Sequence, residues 1–132
     1  MARIRDGKLD EAPGVVVKGE VDIADAEALQ DALQKAIINS VGAFVIDLSE
    51  LEFIDSSGLH VLHRARDLLG REDRQLAVVC PYGPVRRVFE LTGISELFAL
   101  FATREEAAAA LVPAQADGPA SASAPAGSSE VS

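Results

Sequence analysis

Asp55-Ser56-Ser57-Gly58-Leu59 places two adjacent hydroxyls next to a carboxylate, downstream of the apolar run Phe44-Val45-Ile46-Asp47-Leu48 and at the opening of an apolar-periodic helix. The first turn of a helix has unpaired backbone N–H groups and the positive end of the macrodipole, so a phosphate ester on Ser56 or Ser57 is received favourably there. Such an ester adds about −1.5 to −2 charges at pH 7, a large local change for any docked surface. This chemistry is regulatory rather than catalytic. The same residue types also make an ordinary helix start, since Asp and Ser cap and Gly suits a tight turn. Taken alone, these five residues leave both readings open.

Two histidines, His60 and His63, follow in the same predicted helix. A serine nucleophile with a histidine base would make a hydrolase. The nucleophile elbow, however, needs Gly-x-Ser-x-Gly, and the chain reads Ile54-Asp55-Ser56-Ser57-Gly58 without the first glycine. A Ser and a His one turn apart on one helix also lack an orienting acid in the required place. The chain is therefore expected not to be an enzyme. A metal site would need a further ligand beside the histidines, and none is expected. Histidines at i and i+3 on a helix surface fit solvation, with titration near neutral pH as their distinctive property.

The elements that position these residues alternate between short apolar strands and helical patterns. Val15 to Gly19 reads as a strand, with a partner near residues 3–9 across the turn residues Ala12-Pro13-Gly14. Asp25 is the predicted cap of a helix that turns Ala26, Leu29, Leu33, Ala36 and Ile37 inward. Residues 43–48 form a nearly continuous apolar strand, as in the middle of a covered sheet. Leu59, Leu62, Ala65 and Leu69 share one helix face that Gly70 ends, and Gln75 to Val79 is a further strand. Pro84 opens a helix with Val85, Val88 and Phe89 inward and Gly93 as its stop. A strand over Leu97–Phe101 and a helix over Glu105–Leu111 close the pattern. Strands joined by helices predict an α/β fold: one mixed, largely parallel sheet of about four to five strands covered by about four helices.

Composition narrows the partners. The chain has 132 residues and is 48% apolar, enough for one domain with a sizeable core. Its net charge is −9, and the last twenty residues carry only Asp117 and Glu130, so the remainder carries −7. Such a surface repels nucleic acid and anionic membranes. Neither a membrane-length apolar run nor a signal-peptide core is visible, and a cytoplasmic location is expected. The single cysteine, Cys80, ends the run Leu76-Ala77-Val78-Val79 and reads as a buried thiol. Residues 1–112 are the expected domain. Residues 113–132, rich in Ala, Pro and Ser, have too little apolar side chain to offset ordering and are expected to form a disordered tail.

The segment from Val45 to Leu59 resembles the signature of STAS-domain anti-sigma factor antagonists. Gly19-Glu20-Val21-Asp22 resembles that family's turn before its first helix. Pro84-Val85-Arg86-Arg87-Val88-Phe89-Glu90-Leu91-Thr92-Gly93 and Ile94-Ser95-Glu96-Leu97-Phe98 resemble its closing helix and strand. The resemblance covers roughly residues 8 to 112 and implies the STAS fold. It implies Ser56 as the residue phosphorylated by an anti-sigma factor kinase of histidine-kinase-like ATPase fold, and a serine phosphatase for the reverse step. ATP and magnesium would belong to the kinase, so this chain needs no cofactor. Glu20, Asp22, Asp55, Ser56, Ser57, Gly58 and His60 would form the partner-binding face. Within it, Ser57 would cap the helix, and Gly58 would let a partner's backbone approach. His60 stands where many members have a small residue. The competing implication is a STAS module that scaffolds a signalling or lipid-transport complex unconnected with a sigma factor.

Overall fold

The computed structural model describes residues 2–9 and 12–111; the tail expected over 113–132 lies outside them. Among the described residues six strands form one sheet: β1 (Ala2–Leu9), β2 (Ala12–Val21), β3 (Phe44–Asp47), β4 (Leu51–Ile54), β5 (Leu76–Val79) and β6 (Ala99–Phe101). Four helices accompany them: α1 (Ile23–Ile38), α2 (Ser56–Gly70), α3 (Pro84–Leu91) and α4 (Arg104–Ala110). The sheet order is β1-β2-β3-β5-β6, with β4 also beside β2. Only the β1–β2 pair is antiparallel; the pairs joined through helices are parallel, as the alternating pattern requires.

Three details differ from the sequence reading. Ala12-Pro13-Gly14 is strand rather than turn, with Gly14 paired to Gly7 and Pro13 to Lys8. Leu97 does not begin the last strand, because Ile94–Leu97 is a 3-10 turn and β6 starts at Ala99. The strand β4, four residues with only its two end residues buried, had no alternation by which to be seen.

β2 is long enough to serve two neighbours on the edge opposite β1. Gly14, Val15 and Val16 pair with Val45, Ile46 and Asp47 of β3, while Gly19, Glu20 and Val21 pair with Leu51, Phe53 and Ile54 of β4. The register shifts between Gly19 and Glu20, and Gly19 has φ +90°, a conformation that favours glycine. This bend redirects the end of β2 toward β4.

Alternate residues of β2 feed two cores. Val15, Val17 and Val21 join Phe44, Ile46 and Ile54 under Leu29, Leu33 and Ile37 of α1, Leu59, Leu62 and Leu69 of α2, and Phe89 of α3. Phe89 meets Phe98 edge-to-face at 5.8 Å. On the opposite face, Leu9, Val16, Val45, Ala77 and Val79 lie under Ala107 of α4. Asp47 is buried on β3, accepting from the Ser49 N–H at 2.8 Å, the Ser49 hydroxyl at 2.6 Å and Arg104 Nε at 2.5 Å. That carboxylate ties α4 to the sheet.

Cys80 is buried, as the apolar run implied, and burial pushes its thiol from the ordinary 9.0 up to about 11. A raised thiol value means the fold holds the neutral form; that contribution is intact below about 9.0 and lost as pH climbs toward about 11. Native protein at pH 8 is expected to resist iodoacetamide, with full labelling only after denaturation, as read by intact mass. Rapid stoichiometric labelling of the native protein would contradict the buried state.

Candidate functional site

The two helices nearest the predicted site begin at adjacent strand ends. β2 runs out at Val21 and β4 at Ile54, which pair with each other, and the Asp55 N–H donates to the Val21 carbonyl at 3.1 Å. Asp22 and Asp55 are consequently neighbouring helix caps at one end of the sheet. The arrangement brings Glu20, Asp22, Asp55, Ser56 and Ser57 together, although more than thirty residues separate the two segments.

Asp22, not Asp25, caps α1. Its Oδ1 accepts from the Ala24 N–H at 2.9 Å, while Asp25 reaches back to accept from the Asp22 N–H at 3.4 Å and from the Ala2 N–H at 3.3 Å. Those bonds, the one from Ala2 foremost, hold the Asp25 carboxyl below its ordinary range. Asp can cap at either position, so the apolar period alone places the start three residues late. Glu20 stays exposed on the end of β2, with no ion pair among the described residues.

Asp55 caps α2, and Ser57 does not. The Asp55 backbone is extended, φ −108° and ψ −173°, and Oδ1 accepts from the Ser57 N–H at 2.9 Å and the Gly58 N–H at 3.2 Å. A carboxylate competes well for these donors because it is charged. Ser56 then becomes the first residue of the helix, exposed, and Ser57 the second, half-buried. Neither hydroxyl has a hydrogen-bond partner among the described residues. The Ser56 oxygen is thus presented to solvent by a rigid, capped helix start.

Gly58 is buried and faces inward, so the close approach it permits is within the chain and not from a partner. A Cβ at this position would lie 2.6 Å from Ile54 Cγ1 and 2.7 Å from Val21 Cγ1. Glycine lets the first turn of α2 sit down on the ends of β2 and β4. Gly58→Ala is expected to lower stability by about 1 kcal/mol net, because overpacking costs roughly 1–3 kcal/mol against about 1 kcal/mol gained in helix propensity. Gly58→Val should cost more. Urea midpoints check both, and unchanged midpoints would contradict the packing role.

His60 is exposed on α2, one turn after Ser56. His63 is half-buried with Nδ1 3.5 Å from Asp67. Both line an open groove of about 560 Å³ between α1 and α2, where Arg64 Nη1 donates to Gln30 Oε1 at 3.3 Å. Among the described residues no three of His, Cys, Asp and Glu come together as metal ligands. Two apolar residues at the same end escaped the sequence reading. Ile23, beside the Asp22 cap, is 78% exposed, and Phe53, paired with Glu20, is 47% exposed. Their signal was an isolated large side chain next to a cap, which is common on ordinary surfaces.

Residues 8–107 match the STAS domain, and the chain belongs to that family. It is 34% identical to the anti-sigma-F factor antagonist RsfB of Mycobacterium tuberculosis over 69% of this chain and 74% of the relative. It is likewise 34% identical to the putative anti-sigma factor antagonist BtrV of Bordetella bronchiseptica, over 77% of this chain and 90% of that one. Among solved structures, an anti-sigma factor antagonist from Mycobacterium paratuberculosis superposes with a TM-score of 0.77 at 34% identity, covering 84% of this chain and 94% of the other. SpoIIAA, described as the unphosphorylated form of an anti-sigma factor antagonist, gives 0.64 at 25% identity, covering 80% and 93%. These relatives are named as anti-sigma factor antagonists, and the expected α/β sheet with its helices is the fold of the solved ones. No helix among the described residues is long and apolar enough to cross a membrane.

Proposed function

We propose that this protein is an anti-sigma factor antagonist whose docking is switched by phosphorylation of Ser56. Unmodified, the end of the sheet that carries Glu20, Asp22, Ser56 and the exposed Ile23 and Phe53 binds an anti-sigma factor and displaces its sigma factor. The observation that carries this reading is the placement of Ser56: first in α2, exposed, with its hydroxyl uncommitted beside a carboxylate that fixes the turn. Relatives named as anti-sigma factor antagonists support the general role. SpoIIAA is also described in a phosphorylated form.

The covalent step belongs to the partner kinase. Ser56 Oγ attacks the γ-phosphorus of ATP held with magnesium on the kinase, the bond to the β-phosphate oxygen breaks, ADP leaves, and the hydroxyl proton passes to a kinase base. A serine phosphatase reverses the modification by hydrolysis. This chain supplies the acceptor and its rigid presentation, and no catalytic group. The added charge at a closely packed contact then disfavours docking through repulsion and desolvation. Incubation with ATP and the kinase retained on an affinity column of the Ser56→Ala protein, followed by intact-mass and peptide mapping, tests the assignment. One phosphate on Ser56 is expected; phosphate confined to Ser57, or none, would overturn it.

A further inference from the structure

We infer that His60 is the cationic partner of a phosphate on Ser56, which makes the charge of the modified site depend on pH near neutrality. This rests on the reading of Ser56 as the acceptor. The capping geometry leads to it. A phosphate at a helix start ordinarily draws on the first-turn N–H groups, but here Asp55 Oδ1 already takes those of Ser57 and Gly58, and the Leu59 N–H donates to the Asp55 carbonyl at 3.0 Å. Only the N–H of Ser56 itself is left in that turn. The phosphate would also stand beside the Asp55 carboxylate, which repels it. Besides water and the Ser56 N–H, a side-chain cation is the group left to stabilise it.

His60 is placed for that role. Residues at i and i+4 of a helix lie on one face with Cβ atoms about 5–6 Å apart, and Ser56 and His60 are both exposed. The next cation along that face, Arg64, is a further turn away and already donates to Gln30. On the α1 side the groove beside His60 is lined by Gln30, Leu33, Gln34 and Ile37, with no charged side chain. The remaining charged groups on the packed elements are Asp25, Glu27, Asp31 and Lys35 of α1 and Glu52 of β4. On α2 itself, Asp67 is engaged with His63 and Arg66. All of these are present whether or not Ser56 is modified, so their influence cancels between the two forms. The phosphate is the one new anion.

The sign follows from linkage. A dianion one turn away favours the imidazolium, raising the His60 pKa above its value in the unmodified protein, and the imidazolium reciprocally lowers the second phosphate pKa from about 6. Below neutrality the pair is partly neutralised, and above it the phosphate stands bare.

The test uses the full chain with phosphoserine installed at position 56 during translation, which needs no cognate kinase. Imidazole and phosphorus NMR titrations are compared with the unmodified protein. The His60 titration is expected to move to higher pH in the phosphoserine protein, as for an exposed ion pair, while the His63 titration moves less because its distance is greater. His60→Gln, a surface change, should raise the phosphate pKa back toward the ordinary value. Identical His60 titrations in the two proteins, or equal shifts at His60 and His63, would overturn the inference. Because the phosphate is placed chemically, that failure is separate from failure of the acceptor reading, which kinase mapping decides.

Discussion

Ser56→Glu is expected to weaken association with the anti-sigma factor by about 30- to 100-fold, equivalent to about 2–3 kcal/mol, while Ser56→Ala retains it. The asymmetry comes from the site. Alanine removes a hydroxyl with no partner among the described residues and keeps the Asp55 cap, so it leaves the charge of the docking surface unchanged and the fold within about 0.5 kcal/mol of the parent. Glutamate puts a second carboxylate beside Asp55, within a face that already carries Glu20 and Asp22. Inside a closed contact these charges meet the partner with less water to screen them. Calorimetric titration of the three proteins against the anti-sigma factor retained on a Ser56→Ala affinity column provides the numbers. If that column retains transporter subunits and no histidine-kinase-like ATPase, the scaffold reading replaces the antagonist one. Equal affinity of all three variants would contradict the switch.

The largest expected stability change lies away from that face. Asp47→Ala should lower unfolding free energy by about 2–4 kcal/mol, read from urea denaturation. The substitution removes a carboxylate that is 1% exposed and takes away the shared acceptor of three donors, the Ser49 N–H, the Ser49 hydroxyl and the Arg104 guanidinium. Arg104 is the first residue of α4, so the change also frees the only helix on the minor face of the sheet among the described residues. Protection of the α4 amides from hydrogen exchange should fall more than that of α2. A loss below about 1 kcal/mol would show that the ion pair is dispensable to the docking of α4.

Much of this architecture was legible because periodicity survives in single sequences. The inward faces of α1 and α2, the strand over Phe44–Asp47 and the buried Cys80 all followed from apolar spacing. Features set by the relation between segments were not legible. Asp22 and Asp25 are the same residue type three positions apart, and only the end of β2 determines which one caps. Likewise Asp55, rather than Ser57, takes the donors of α2 because the chain leaves β4 extended at that residue. Gly58 stands out in the motif, but its structural reason is internal: the room it leaves is filled by Val21 and Ile54. Asp47 looked like one polar residue in an apolar run, and its partner Arg104 lies 57 positions away. At the site, Ser56 and Asp55 were visible from local pattern, whereas the placement of Glu20 and Asp22 beside them depends on β4, which four residues without alternation did not announce.

The most direct measurement is the affinity of the anti-sigma factor for two otherwise identical proteins, one carrying serine and one carrying phosphoserine at position 56. Binding at least about 30-fold weaker for the phosphoserine form is expected. Indistinguishable affinities would contradict the claim that this single oxygen governs docking.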